Sequence, residues 1–163
     1  GGKAAMVLAL AHPERVNRLI VADIAPVTYS HSQNGPINAM RQVDLATIQN
    51  RADAKAQLGT LEPGVADFLL QSLDMKNRMW RLNLDALSAE MDKIIGFPDV
   101  TGSFDGPTLF LSGGTSDYVQ QAHRPTIKQY FPAAKFAKIP GAGHWLHAEK
   151  PREFEAAVNA FLS

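Results

Sequence analysis

Pro140-Gly141-Ala142-Gly143-His144-Trp145-Leu146-His147-Ala148-Glu149-Lys150-Pro151 is the stretch from which the rest of the chain is read. It follows Lys135-Phe136-Ala137-Lys138-Ile139, whose alternation has the period of two of a strand with one wet face, and it precedes a run with helical periodicity. His144 therefore belongs to a strand-to-helix loop. Gly141 and Gly143 allow the sharp turning such a loop needs, and a loop seated on a rigid sheet can aim an imidazole into a cleft. Imidazole ordinarily titrates near neutrality, which suits it to take and return a proton within one turnover. A surface or capping histidine satisfies the same local pattern, so the reading turns on what the other strand ends carry.

Working outward, Pro107-Thr108-Leu109-Phe110-Leu111 is a buried strand that runs into Ser112-Gly113-Gly114-Thr115-Ser116-Asp117. Val16 to Ala22, with the continuous apolar run Leu19-Ile20-Val21-Ala22, has the character of a central parallel strand, and Asp23 stands at its end. Successive strands thus end in Asp23, Asp117 and His144, and in open α/β sheets ligands bind beyond the carboxyl ends of the strands. A carboxylate on one ring nitrogen fixes the tautomer and stabilises the imidazolium, leaving the other nitrogen as base. Either aspartate suits that role, and each also suits the N-cap of the element that follows it, Asp117 in particular. Gly1 to Ala11 is rich in Ala and Leu and apolar nearly all round, the pattern of a helix buried on most sides and stopped by His12-Pro13. Tyr118 to Phe131 reads as a helix ended by Pro132. The last helix has Pro151 near its first turn and Phe154, Ala157, Val158, Phe161 and Leu162 on one face.

From about Val27 to Ser103 no strand-like run occurs and helical stripes do: Val65, Phe68, Leu69 and Leu73 on one face, and Leu84, Leu87, Met91, Ile94 and Ile95 on another. Asn34-Gly35-Pro36, Gly59, Glu62-Pro63-Gly64 and Gly96-Phe97-Pro98 punctuate them. The expected organisation is an α/β fold, a mostly parallel sheet flanked by helices: core residues 1–26, an inserted unit of four or five short helices over 27–103, and core residues 104–163. Within the insertion, Arg78, Trp80, Arg81 and Asn83 are the polar and aromatic residues suited to face a ligand, although a cation resting on an aromatic ring explains them equally.

The 163 residues are 45% hydrophobic and 20% charged, ordinary globular composition. Sixteen Lys and Arg balance sixteen Asp and Glu without a basic block, so neither nucleic acid nor an anionic membrane is an expected partner. No Cys occurs, which fits a reducing, cytoplasmic setting and removes thiolate metal sites. No apolar run approaches the roughly 18 to 20 residues that span a bilayer. The sequence opens without Met and inside a helix-like pattern, so its natural N-terminus is expected to be missing. His144-x-x-His147 with Glu149 offers metal donors only if they share a helix face, and no metal is expected. Gly113-Gly114 and Gly141-Ala142-Gly143 are not dinucleotide loops, since no third glycine opens a helix, and no cofactor is expected.

Four pieces carry a family resemblance: Gly1-Gly2-Lys3-Ala4-Ala5-Met6, Val21-Ala22-Asp23-Ile24-Ala25-Pro26-Val27, Trp80-Arg81-Leu82-Asn83-Leu84-Asp85-Ala86-Leu87, and Gly141-Ala142-Gly143-His144-Trp145 with His147-Ala148-Glu149-Lys150-Pro151. The chain resembles the C-terminal part of an α/β-hydrolase. More narrowly it resembles the small acyl-esterases with a short helical lid, which include bacterial acyl-ester hydrolases and mitochondrial abhydrolase-domain relatives. The order of acid before histidine agrees with that superfamily. The resemblance implies a serine hydrolase acting on carboxylic esters or thioesters of short to medium acyl chain. His144 would be general base and then general acid, and Asp23 its partner, with Asp117 second and Asp85 a third that more readily braces the lid. Tyr118, Trp145, Trp80 and Arg81 are the expected substrate contacts. Gly1 would be the last glycine of a G-x-S-x-G elbow, placing the nucleophile two residues before the sequence begins. The 163 residues alone are then expected to turn over no substrate, and the missing N-terminal part of the same hydrolase would be a required partner. An Asp nucleophile would instead imply an epoxide or haloalkane hydrolase, and Gly or Ala there a non-catalytic binding module.

Overall fold

The computed structural model describes residues 1–61 and 64–163, so the expected break at Glu62-Pro63 lies outside the described residues. In chain order the regular elements begin with α1 (Gly2–Ala11), β1 (Leu19–Ala22), α2 (Asn34–Gln42), α3 (Arg51–Gln57), α4 (Val65–Leu70), β2 (Leu73–Asp74) and β3 (Met79–Trp80). They continue through α5 (Leu84–Ala89), α6 (Met91–Ile95), β4 (Thr108–Gly113), α7 (Arg124–Tyr130), β5 (Ala134–Ile139), α8 (Leu146–Glu149) and α9 (Pro151–Leu162). Two units result, one formed by Gly1–Thr28 with Phe97–Ser163 and the other by Tyr29–Gly96.

In the first unit the apolar runs form a parallel sheet in the order β1-β4-β5. Ala22 lies opposite Leu111 and Gly113 opposite Ile139, so the chain leaves all three strands at the same edge. β4, in the middle, is buried at every position, which is why it reads as an unbroken apolar run and not an alternating one. It extends to Gly113, two residues past the apolar run seen in the sequence. On one face, Leu109, Leu111, Ile139, Ala142 and Leu146 pack with Phe154, Ala157, Val158 and Phe161 of α9. Each Leu or Ile side chain fully removed from water there contributes about 1.5–3 kcal/mol. Leu162, expected on that stripe, is half exposed: it sits one residue, about 100° of helix, beyond Phe161. Phe110 meets both Phe131 and Phe136, at ring-centroid distances of 5.7 and 5.9 Å.

The helix expected over Tyr118 to Phe131 is shorter. α7 begins at Arg124, after a 3₁₀ turn over Gln121–His123. Pro125 has no N–H to bond the carbonyl four residues back, so a helix running unbroken from Tyr118 would lose that bond.

Among the described residues the second unit has five short helices around Met40, Ile48, Ala54, Leu58, Leu70 and Leu73. Its α3 starts with a full capping box, Asn50 accepting from Ala52 and Asp53 N–H while Asp53 accepts from Asn50 N–H. One expectation fails here, because Leu73–Asp74 pairs antiparallel with Met79–Trp80 in a stretch where no strand was expected. Asp74 Oδ1 accepts from the N–H groups of Lys76 and Asn77, at 3.0 and 3.1 Å, and Arg78 takes a left-handed φ of 51° to close the turn. Strands of two residues are too short to show a period.

Candidate active site

Asp23 continues the parallel ladder through its N–H, which donates to Leu111 O at 2.8 Å, and then turns with a φ of 49°. A left-handed φ is uncommon for a residue other than glycine, although Asp tolerates it better than most, and such residues cluster at functional sites. The side chain is fully buried, 0% exposed. Removing an unpaired carboxylate from water costs several kcal/mol, so its partners decide whether it can stay there. It has three. Oδ1 accepts from Gly113 N–H at 3.0 Å, and Oδ2 accepts from the Ser116 hydroxyl and faces His144 Nδ1 at 2.8 Å.

The histidine arrives from the loop that follows β5. Gly141 makes the turn with a φ of 69°. The loop is held against the end of β4 by the Ala142 carbonyl, which accepts from Thr115 N–H at 3.0 Å and from the Thr115 hydroxyl at 2.9 Å. That approach needs Gly113, since a Cβ there would lie 2.1 Å from Gly143 O and 2.6 Å from Ala142 O. The His144 side chain is 42% exposed, and the Tyr118 ring stacks on it with centroids 3.9 Å apart and planes 19° from parallel. With Nδ1 turned to the buried carboxylate, Nε2 is the nitrogen available for proton transfer.

Of the residues singled out in the sequence, Asp23, His144 and Tyr118 are brought together. Trp145, half-buried, precedes α8 directly after His144. Asp117 is exposed, and the turn after β4 presents Ser116 to the acid in its place. Trp80 and Arg81 belong to the second unit. Trp80 is only 8% exposed and its indole N–H donates to Met40 O at 2.9 Å, so core packing there accounts for it, contrary to the expected substrate contact. Arg81 is exposed, with its guanidinium 4.0 Å from the Asp74 carboxylate. Hydrogen bonds from the Asn77 backbone N–H and side-chain amide hold Asp74 below the usual carboxylate range, Arg81 adding a smaller effect. Asn83 caps α5, Asp85 pairs with Arg41 at 2.7 Å, and the His147 ring meets Phe154 edge-on.

Two residues of the site escaped the sequence reading. Ser116 stands one position before the aspartate that drew attention, and Gly113 reads as a turn residue until the His144 loop is seen against it. At the other end of the chain, Gly2 lies close against the segment that follows β1, since a Cβ on it would lie 2.3 Å from Ile24 Cγ2. Lys3 donates to Val27 O at 2.8 Å, and burial lowers the pKa of its ammonium group.

The strand ends of a parallel sheet thus bring a buried carboxylate within 2.8 Å of an accessible imidazole, an arrangement that can orient one ring nitrogen and leave the other free. Residues 1–151 match the family model described as alpha/beta hydrolase fold, and the chain belongs to that family. It is similar to the sn-1-specific diacylglycerol lipase ABHD11 of Mus musculus, with 45% identity covering 100% of this chain and 56% of that protein. It is also similar to esterase YbfF of Escherichia coli, with 36% identity covering 100% of this chain and 64% of that protein. Among solved structures, a marine microorganism esterase is 36% identical with a TM-score of 0.91, covering 99% of this chain and 66% of that one. The chain thus spans between about half and two thirds of the length of these relatives.

Proposed function

We propose that the protein works as a serine hydrolase on carboxylic esters or thioesters of short to medium acyl chain. The observation that carries this reading is the 2.8 Å contact between Asp23 Oδ2 and His144 Nδ1 at the carboxyl edge of the sheet. The names of the similar proteins, a lipase and esterases, support it. Nδ1–H donates to Asp23, which leaves Nε2 unprotonated and able to take the proton of an attacking hydroxyl. The imidazolium that forms is stabilised by the buried carboxylate and returns the proton to the departing alkoxide or thiolate. A water activated by the same nitrogen then releases the acyl group. The attacking serine is assigned to the part of the fold that the relatives have and these 163 residues do not span, and the likeness of Gly1-Gly2-Lys3 to the end of a nucleophile elbow supports that assignment. Tyr118, stacked on the His144 ring, and Trp145, next to it in the chain, are assigned to the substrate. The helical unit is assigned the role of lid, and the absence of Cys supports a cytoplasmic setting.

The test uses the full-length enzyme with p-nitrophenyl acetate or butyrate and a fluorophosphonate probe. Wild type is expected to hydrolyse the ester and to be labelled, and His144→Ala to lose turnover by about 10,000-fold or more. Retained hydrolysis in His144→Ala overturns the assignment, and so does a wild type that neither reacts with the probe nor cleaves either ester.

A further inference from the structure

The loop that presents His144 is anchored in the apolar core at both ends and less buried in the middle. Ala142 is 0% and Leu146 1% exposed, and both sit in the core beneath α9. Between them, Gly143 and Trp145 are half-buried and His144 is exposed, so burial does little to fix the three residues centred on the imidazole. Two of their backbone N–H groups are bonded to a single side chain. Glu149 Oε2 accepts from Gly143 N–H at 2.8 Å, and Oε1 accepts from Trp145 N–H at 3.2 Å. The carboxylate therefore grips the amides on either side of His144 with separate oxygens. The single turn of α8 brings it back to that position, with the Glu149 and Ala148 N–H groups both bonded to Trp145 O. Gly143 admits it, since a Cβ there would stand 3.0 Å from Oε1 and 3.4 Å from Oε2.

We infer that Glu149 is a positioning residue for the proton transfer. Its carboxylate bonds to backbone N–H groups, and it acts by holding the backbone from which His144 meets the acid. The inference rests on the hydrolase reading above. Two acceptor atoms are needed at once, and this separates Glu from its near relatives. Gln offers one oxygen and so keeps one of the two bonds, Asp is a methylene too short to span both amides, and Ala keeps neither.

The experiment compares Glu149→Gln, Glu149→Ala and His144→Ala with wild type in the full-length enzyme, reading kcat and KM for p-nitrophenyl butyrate and amide hydrogen exchange over residues 143–145. Small misplacements of a proton-transfer group cost up to about 100-fold in rate. The expected result is kcat reduced by about 5-fold in Glu149→Gln and about 50-fold in Glu149→Ala, with KM within about twofold of wild type and faster exchange at Gly143 and Trp145. A residue that only stabilised the fold would lower the melting temperature without this graded loss at 25 °C. If His144→Ala is inactive but both Glu149 variants keep the wild-type kcat, the inference falls and the hydrolase reading stands. An active His144→Ala removes the reading itself. Should Glu149→Ala fail to fold, the kcat and exchange of Glu149→Gln decide alone.

Discussion

The ends of β1 and β4 look alike in sequence, each a continuous apolar strand with an aspartate downstream on the edge where ligands bind, yet the chain treats them differently. After β1 the backbone turns immediately, with a left-handed φ at Asp23 that sends the carboxylate across the sheet toward β4. After β4 the strand first runs through Gly113 and a turn tied to the His144 loop by Thr115, so the residue that reaches the acid site is Ser116 and Asp117 is left exposed. What distinguishes two similar aspartates is the number of converging donors. Asp23 has three, two of them supplied by the β4 end, where the rival aspartate lies.

That contrast can be broken by substitution. Asp23→Asn exchanges an acceptor for an amide that can stabilise the wrong tautomer, and it is expected to lower kcat by about 10,000-fold with the fold intact by circular dichroism. Gly113→Ala puts a methyl group against two carbonyl oxygens, and a loss of about 3 kcal/mol on urea denaturation is expected, since the backbone must move to relieve it. Ser116→Ala removes one neutral donor from a buried anion. It should cost about 1.5–3 kcal/mol of stability, read by urea denaturation, with partial recovery in Ser116→Thr. Asp117→Asn is expected to leave kcat within about twofold, as surface substitutions usually have small effects. If Asp117→Asn proved costlier than Asp23→Asn, the roles assigned to the two strand ends would be exchanged.

The strands are legible in the sequence because they are apolar runs, unbroken in Thr108-Leu109-Phe110-Leu111 where both faces are buried, and apolar too in Leu19-Ile20-Val21-Ala22 although burial there alternates. The choice between the aspartates is not, because it depends on the sign of one backbone angle and on which residue of a turn faces inward. Trp80 is ambiguous for a related reason: an aromatic beside an arginine fits a ligand surface as well as a core, and only the bond from its indole to Met40 separates the two. The Leu73–Trp80 hairpin is invisible at two residues per strand. Ser116 and Glu149 act through hydrogen bonds that follow no sequence period, and such groups come to light only when the backbone they grip is known.

β1 and β4 are neighbours in the sheet, although the whole helical unit intervenes between them along the chain. The entropy of closing a long connection grows only logarithmically, by about 0.6 kcal/mol for each doubling. Lengthening, shortening or exchanging that interlude therefore taxes the pairing of the two strands very little. Change in the helical unit can accumulate while the Asp23–His144 contact, whose atoms all come from the other unit, stays under its own separate constraint.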